Sequence, residues 1–145
     1  MKLLGFERRW MLLVFDTIYA GGDPTLPWKA SEVPTTAAFI DDMFRVGPFW
    51  TVLGMRAALW GIILLAPLLG IGLPLPFSWI GDARRLRTLE NLAASNIYVV
   101  REMPTLFKML GAMSYCSFAD VQRRVGIERP DYRLPSWAGE ATRHG

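Results

Sequence analysis

Residues Ala58–Pro76 read ALWGIILLAPLLGIGLPLP, a run apolar enough for a bilayer yet broken by Pro67, Pro74 and Pro76. No ionisable residue falls between Arg56 and Asp82, a stretch longer than the roughly 20 residues that span hydrocarbon. Proline removes a backbone donor and clashes with the preceding turn, so a straight helix through the whole stretch is not expected. The longest uninterrupted option runs from about Phe49 to Ala66, which at 1.5 Å per residue reaches roughly 27 Å. Arg56 near its start is expected to turn its guanidinium toward lipid headgroups while its stem stays among apolar groups. Trp50 and Trp60 bracket this arginine, and Phe77 and Trp79 follow the prolines, as in an aromatic belt at a membrane interface. Three readings follow: a single span, a re-entrant or interfacial hairpin turning at the prolines, or a buried core helix.

Downstream of the apolar run lie Arg84, Arg85 and Arg87. If the segment inserts, the positive-inside tendency places this end on the cytoplasmic side; otherwise the cluster is a solvated helix face. The rest of the chain mixes its charges, with a net charge of +3, and shows no nucleic-acid footprint. At 145 residues it is one domain by size. A hydrophobic content of 52% with six Trp and eight Phe is high for a soluble domain of this length.

The remaining punctuation is helical. Phe6, Trp10, Leu13, Val14 and Ile18 share a face over Phe6–Tyr19, with Glu7, Arg8, Arg9 and Asp16 elsewhere on the wheel. Gly21-Gly22-Asp23-Pro24 stops that helix. A second helix is expected near Thr36–Val46, burying Phe39, Ile40, Met43 and Phe44, and Gly47-Pro48 closes it. Asp82 is placed to cap a helix with Leu86, Leu89, Leu92 and Ala93 on one stripe. Tyr98–Tyr115, begun or interrupted by Pro104, points Leu106, Phe107, Leu110 and Met113 inward. Ser117-Phe-Ala-Asp120 reads as a capping box for a last short helix ended by Gly126. From Glu128 onward, Pro130, Pro135 and Gly139 leave no period, so residues 128–145 are expected to form an irregular tail.

Catalytic chemistry has few footholds here. The lone histidine, His144, sits next to the C-terminal residue. Gly21-Gly22, Gly70-x-Gly72 and Gly111 match no phosphate-binding fingerprint. Asp41 and Asp42 are adjacent, and on a helix neighbours point about 100° apart, which suits a solvated face better than a shared substrate. Cys116 allows no intramolecular disulfide and has no metal-ligand companions; beside Tyr115 it reads as a buried small thiol. Arg8-Arg9 followed by Trp10–Phe15 superficially resembles an export signal, but the apolar run ends at Asp16 with no small-x-small cleavage pattern.

Two stretches carry a family resemblance. Glu7–Pro24, ERRWMLLVFDTIYAGGDP, resembles the opening helix and Gly-Gly-x-Pro stop of small subunits such as the third subunit of gluconate 2-dehydrogenase. Ser95–Ile127, SNIYVVREMPTLFKMLGAMSYCSFADVQRRVGI, is similar to that family's closing helix, turn and helix. The element order is also similar to the amino-terminal region of long-chain fatty alcohol oxidases. The chain departs from the family pattern at Cys116, Ala119 and Ile127, where the family shows tyrosine, proline and tyrosine. The resemblance implies a partner: a large flavoprotein of the glucose-methanol-choline class that binds FAD and oxidises an alcohol, with the small subunit supporting it.

The expected architecture is therefore all-α, a small domain of about five or six helices over residues 1–127 with an apolar membrane-inserting or interfacial element at about 49–79. Lipid contact is assigned to Trp50, Trp60, Ile62, Leu65, Leu69, Phe77 and Trp79, with Arg84, Arg85 and Arg87 at headgroups. Arg101, Phe107 and Tyr115 are assigned to the partner, and no catalytic, cofactor or metal residue is assigned. The function expected is that of a non-catalytic accessory subunit at the bacterial inner membrane, cytoplasmic side, with FAD in the partner. The alternatives are a structural subunit of a larger energy-transducing membrane complex, and a small lipid- or steroid-binding protein using Phe107, Met109 and Met113 as a pocket.

Overall fold

Proline and glycine set most of the boundaries. The computed structural model describes residues 2–22, 24 and 27–126; Ile127, the tail 128–145 and His144 lie outside them. Seven α-helices follow one another among the described residues: α1 Gly5–Ile18, α2 Pro34–Val46, α3 Phe49–Leu64, α4 Ala66–Ile71, α5 Asp82–Ala93, α6 Tyr98–Tyr115 and α7 Ala119–Val125. Short 3-10 turns at Ala30–Glu32 and Phe77–Trp79 complete the set. Among the described residues the fold is all-α, with seven helices against the five or six expected, in part because the apolar run divides in two.

That division has a local cause. Pro67 falls at the second position of α4, where its missing N–H breaks no intrahelical bond, and Leu65 stays in a right-handed conformation between the two helices. Backbone bonds from Leu65 N–H to Gly61 and from Leu69 N–H to Leu65 carry the chain through the break. Gly72 then takes φ +69°, and the N–H groups of Gly72 and Leu73 donate to Leu68 and Pro67, a left-handed stop open to glycine at little cost. The single-span reading is thereby corrected. Among the described residues no helix is long and apolar enough to cross a membrane, and α3, at 16 residues, is about 24 Å long.

The core gathers one face each of α1, α2, α3 and α6. Met11, Val14 and Phe15 of α1 meet Ile40 and Phe44 of α2, Leu59 and Ile63 of α3, and Phe107 of α6, all fully buried. Here α1 buries a face that includes Glu7 and Phe15, rotated from the stripe Phe6, Trp10, Leu13, Val14 and Ile18. The stripe on α6 also differs: Phe107 is buried, whereas Met113 is exposed. Pro104 lies inside α6, which runs on through it.

Helix α5 packs closely against α4. Gly70 sits over Thr88, so close that an added Cβ would lie 3.0 Å from the Thr88 carbonyl oxygen, and the Asn91 amide donates to the Gly70 carbonyl at 2.7 Å. Leu89 and Leu92 are buried, but Leu86 and Ala93 face out. Two anticipated caps are replaced. Gly81, not Asp82, is the N-cap of α5, and Asp82 instead pairs with Arg85 at 2.9 Å. Phe118 is the N-cap of α7, without a side-chain cap, while Ser117 donates back to the Ser114 carbonyl. Cys116, expected buried, is exposed at the C-cap of α6.

Candidate functional site

A buried carboxylate, read from the helical wheel as lying off the apolar face, ties two helices together. Glu7 is 1% exposed. Its Oε2 accepts from Arg56 Nη2 at 2.6 Å and from the Leu4 N–H at 3.0 Å, and its Oε1 accepts from the Trp60 indole N–H at 3.0 Å. Arg56 also donates to the Lys2 carbonyl at 3.0 Å. Burial alone pushes the Glu7 carboxyl up; the three hydrogen bonds and the Arg56 charge outweigh it and hold the group below its ordinary value. Around the ion pair, Trp60 stands edge-on to Trp10 at 5.0 Å and to Phe6 at 5.9 Å. The cluster ties the start of α1 to the middle of α3. Arg56 and Trp60, expected at a lipid interface, therefore work inside the protein.

Several assigned contacts are corrected in the same way. Ile62, Phe77 and Phe107 are fully buried and Tyr115 is 2% exposed, so their side chains pack within the chain's own core. Tyr115 stacks on Tyr19 at 5.3 Å and donates to the Trp28 carbonyl at 2.9 Å. Arg85 donates to the carbonyls of Phe77 and Ser78 and to Asp82, which turns it inward to hold the 3-10 turn onto α5. Trp50, Leu65, Leu69 and Trp79 are exposed, as are Arg84, Arg87 and Arg101. Phe107 is buried while Met109 and Met113 are exposed, so the three do not line one pocket.

What the structure leaves open to a ligand is apolar surface. Apart from Thr51 and Arg56, the latter paired inward with Glu7, helix α3 carries apolar or glycine residues on every side, a pattern that in water calls for burial all round. Only one side is covered: Val52, Met55, Leu59, Ile62 and Ile63 are buried, while Trp50 is 79% exposed and Leu53 and Leu64 are also open. Leu65 at the junction and Leu68 and Leu69 on α4 continue this surface at roughly half exposure. Between α3 and α6 runs an apolar groove of about 480 Å³, floored by Gly54, Ala57 and Ala58 and walled by Tyr98, Val99 and Met109. The small residues of α3 keep its backbone accessible there. The sequence signal for this groove was present in Gly54-x-x-Ala57-Ala58, but its far wall comes from α6, some forty residues on.

The polar candidates are occupied internally. A cleft of about 320 Å³ between the end of α1 and the start of α5 contains Asp16, Lys29, Asp82 and Arg85. Asp16 accepts from the Ser31 N–H at 2.7 Å, and Asp82 and Arg85 are paired with each other. Asp41 and Asp42 diverge to separate arginines, Arg8 at 3.0 Å and Arg45 at 2.7 Å. Arg101 and Glu102 approach to 3.7 Å. Among the described residues no group of three or more His, Cys, Asp or Glu side chains is placed to hold a metal ion.

No family model matches the chain, and no curated protein and no solved structure matches it.

Proposed function

We propose that this chain is a non-catalytic, membrane-associated helical accessory subunit that docks and stabilises an FAD-dependent alcohol dehydrogenase or oxidase acting on hydrophobic alcohols. The observation that supports an anchoring or docking role is α3, apolar on both its covered and its open side apart from Thr51 and the internally paired Arg56, yet buried on one side only. Contiguous exposed apolar surface of this kind marks a protein or membrane contact. The flavoprotein rests on the likeness of Glu7–Pro24 and Ser95–Ile127 to small subunits of such enzymes. In this reading the α3–α6 groove receives the partner, so Tyr98, Val99 and Met109 join Arg101 as contact residues in place of Phe107 and Tyr115.

Purification of the tagged chain from detergent-solubilised native membranes, with mass spectrometry and an absorbance spectrum of the eluate, tests this. A stoichiometric large protein with a flavin spectrum supports the reading. Recovery of the chain alone overturns it. A second reading, a structural subunit of an energy-transducing complex, is favoured by Gly54, Ala57 and Ala58 on the groove floor, since small residues let helices approach closely within membranes. Haem proteins without flavin in the eluate would decide for it.

A further inference from the structure

The exposed surface of α4 differs from the groove in the charges beside it. Leu65, Leu68 and Leu69 lie at i, i+3 and i+4, so they form one stripe, and each is more than half exposed. On the α5 side, Arg84 and Arg87 line a hollow with Gly70, Ile71, Leu73 and Asn91. Both arginines are exposed, and neither makes an ion pair or side-chain hydrogen bond within the described residues. Asn91 also borders the neighbouring hollow, which contains Leu69 and Ile97, and Ile97 is 61% exposed. The two free cations thus stand beside the C-terminal end of α4, next to the leucine stripe.

The geometry points to this stripe as an interfacial membrane anchor: α4 sinks its leucines into one leaflet while Arg84 and Arg87 hold the phosphates of anionic lipid headgroups. Charge complementarity argues for lipid over another apolar protein surface, because two exposed, unpaired guanidiniums at the rim of an apolar contact match the phosphates found at headgroup depth. Six residues of α4 make about 9 Å of helix, far short of the roughly 30 Å of hydrocarbon. The element therefore lies in the interface, as amphipathic anchors do. Arg85 takes no part, since its guanidinium is spent on Phe77, Ser78 and Asp82. The inference rests on the membrane association proposed above and specifies the surface that mediates it, leaving the α3–α6 groove for protein.

The test needs no partner. The purified chain is mixed with vesicles of phosphatidylcholine alone or of phosphatidylcholine with phosphatidylglycerol, and bound protein is measured by co-sedimentation. Binding to the anionic vesicles is expected to exceed binding to the neutral ones and to fall as salt is raised. Leu68→Ser with Leu69→Ser is expected to lower partitioning at least about tenfold, and Arg84→Gln with Arg87→Gln about tenfold at low salt only. All four side chains are exposed, and helicity by circular dichroism verifies that the variants fold. Absence of vesicle binding, equal binding to neutral and anionic vesicles, or loss of binding on Trp50→Ser with Leu53→Ser but not on the Leu68 and Leu69 changes would overturn the inference. A flavoprotein recovered with a chain that ignores vesicles overturns this inference alone. Vesicle binding without any flavoprotein partner overturns the proposed function and leaves the anchor standing.

Discussion

Replacing Glu7 by glutamine removes the charge of a carboxylate that is 1% exposed and leaves the side-chain shape intact. Arg56 would then carry its cation, with a side chain only 20% exposed, against a neutral acceptor. Removing one partner of a buried pair costs about 3–5 kcal/mol; the residual water at Arg56 and the retained amide acceptor place this case near about 3 kcal/mol, at the upper end for hydrogen bonds to charged groups. At about 2–4 °C per kcal/mol for a domain of this size, the melting temperature falls by about 6–12 °C. Thermal melts followed by circular dichroism measure it, for Glu7→Gln, Arg56→Met and the double variant. The double variant is expected to recover about 2 kcal/mol relative to the sum of the single losses. Its pH dependence follows from the direction of the shift: the folded carboxyl ionises below its ordinary 4.5, so its contribution is fully present above that value and is lost as pH falls through the lower folded value. The acid limb of the stability profile should flatten in Glu7→Gln. Strictly additive losses, or an unchanged acid limb, would refute the assignment of Glu7 as the buried anchor of α1 on α3.

Three further outcomes are expected. Gly111→Ala brings a methyl group to 2.5 Å from the Tyr19 ring, which is held by its bond to the Lys108 carbonyl and its stack on Tyr115; denaturant titration should show a loss of about 1–2 kcal/mol despite the better helix propensity of alanine. Burial and, behind it, the nearby Cys116 sulfur push the Tyr19 and Tyr115 phenols above 10.0. Their contribution is therefore intact below that pH and lost as pH rises through the folded values, so melts across the alkaline range should fall while phenolate absorbance grows with unfolding. Cys116 is exposed and should react with a thiol reagent in the native protein as fast as in the denatured one; protection in the native state would contradict its placement.

The helix boundaries were legible wherever proline or glycine supplied a steric reason. Thr36 became Pro34 at the start of α2 because proline is accepted at a first helical position, and Tyr98–Tyr115 was read at its observed limits. Periodicity served less well wherever a distant partner decides. Glu7 belongs on a polar face by residue type, and only Arg56 and Trp60, brought in by α3, make its burial affordable in free energy. The same arginine read alone looked like a lipid anchor. Ile62 and Phe77 could not be told from Leu69 and Trp79 by hydropathy, since a run without charges from residue 57 to 81 offers no polar face to orient it; which side of α3 is covered is set by α1, α6 and the turn at Phe77–Trp79. The groove was illegible for the same reason, as its two walls come from separate parts of the chain.

On the proposed reading two exposed apolar surfaces have different occupants, protein on the α3–α6 groove and lipid on α4. Photo-crosslinking in native membranes, with a photoreactive residue introduced at position 99 or at position 68, tests it most directly. Position 99 is expected to give a discrete adduct with a flavin-containing protein, and position 68 lipid adducts alone. A protein adduct from position 68, or none from position 99, would contradict it.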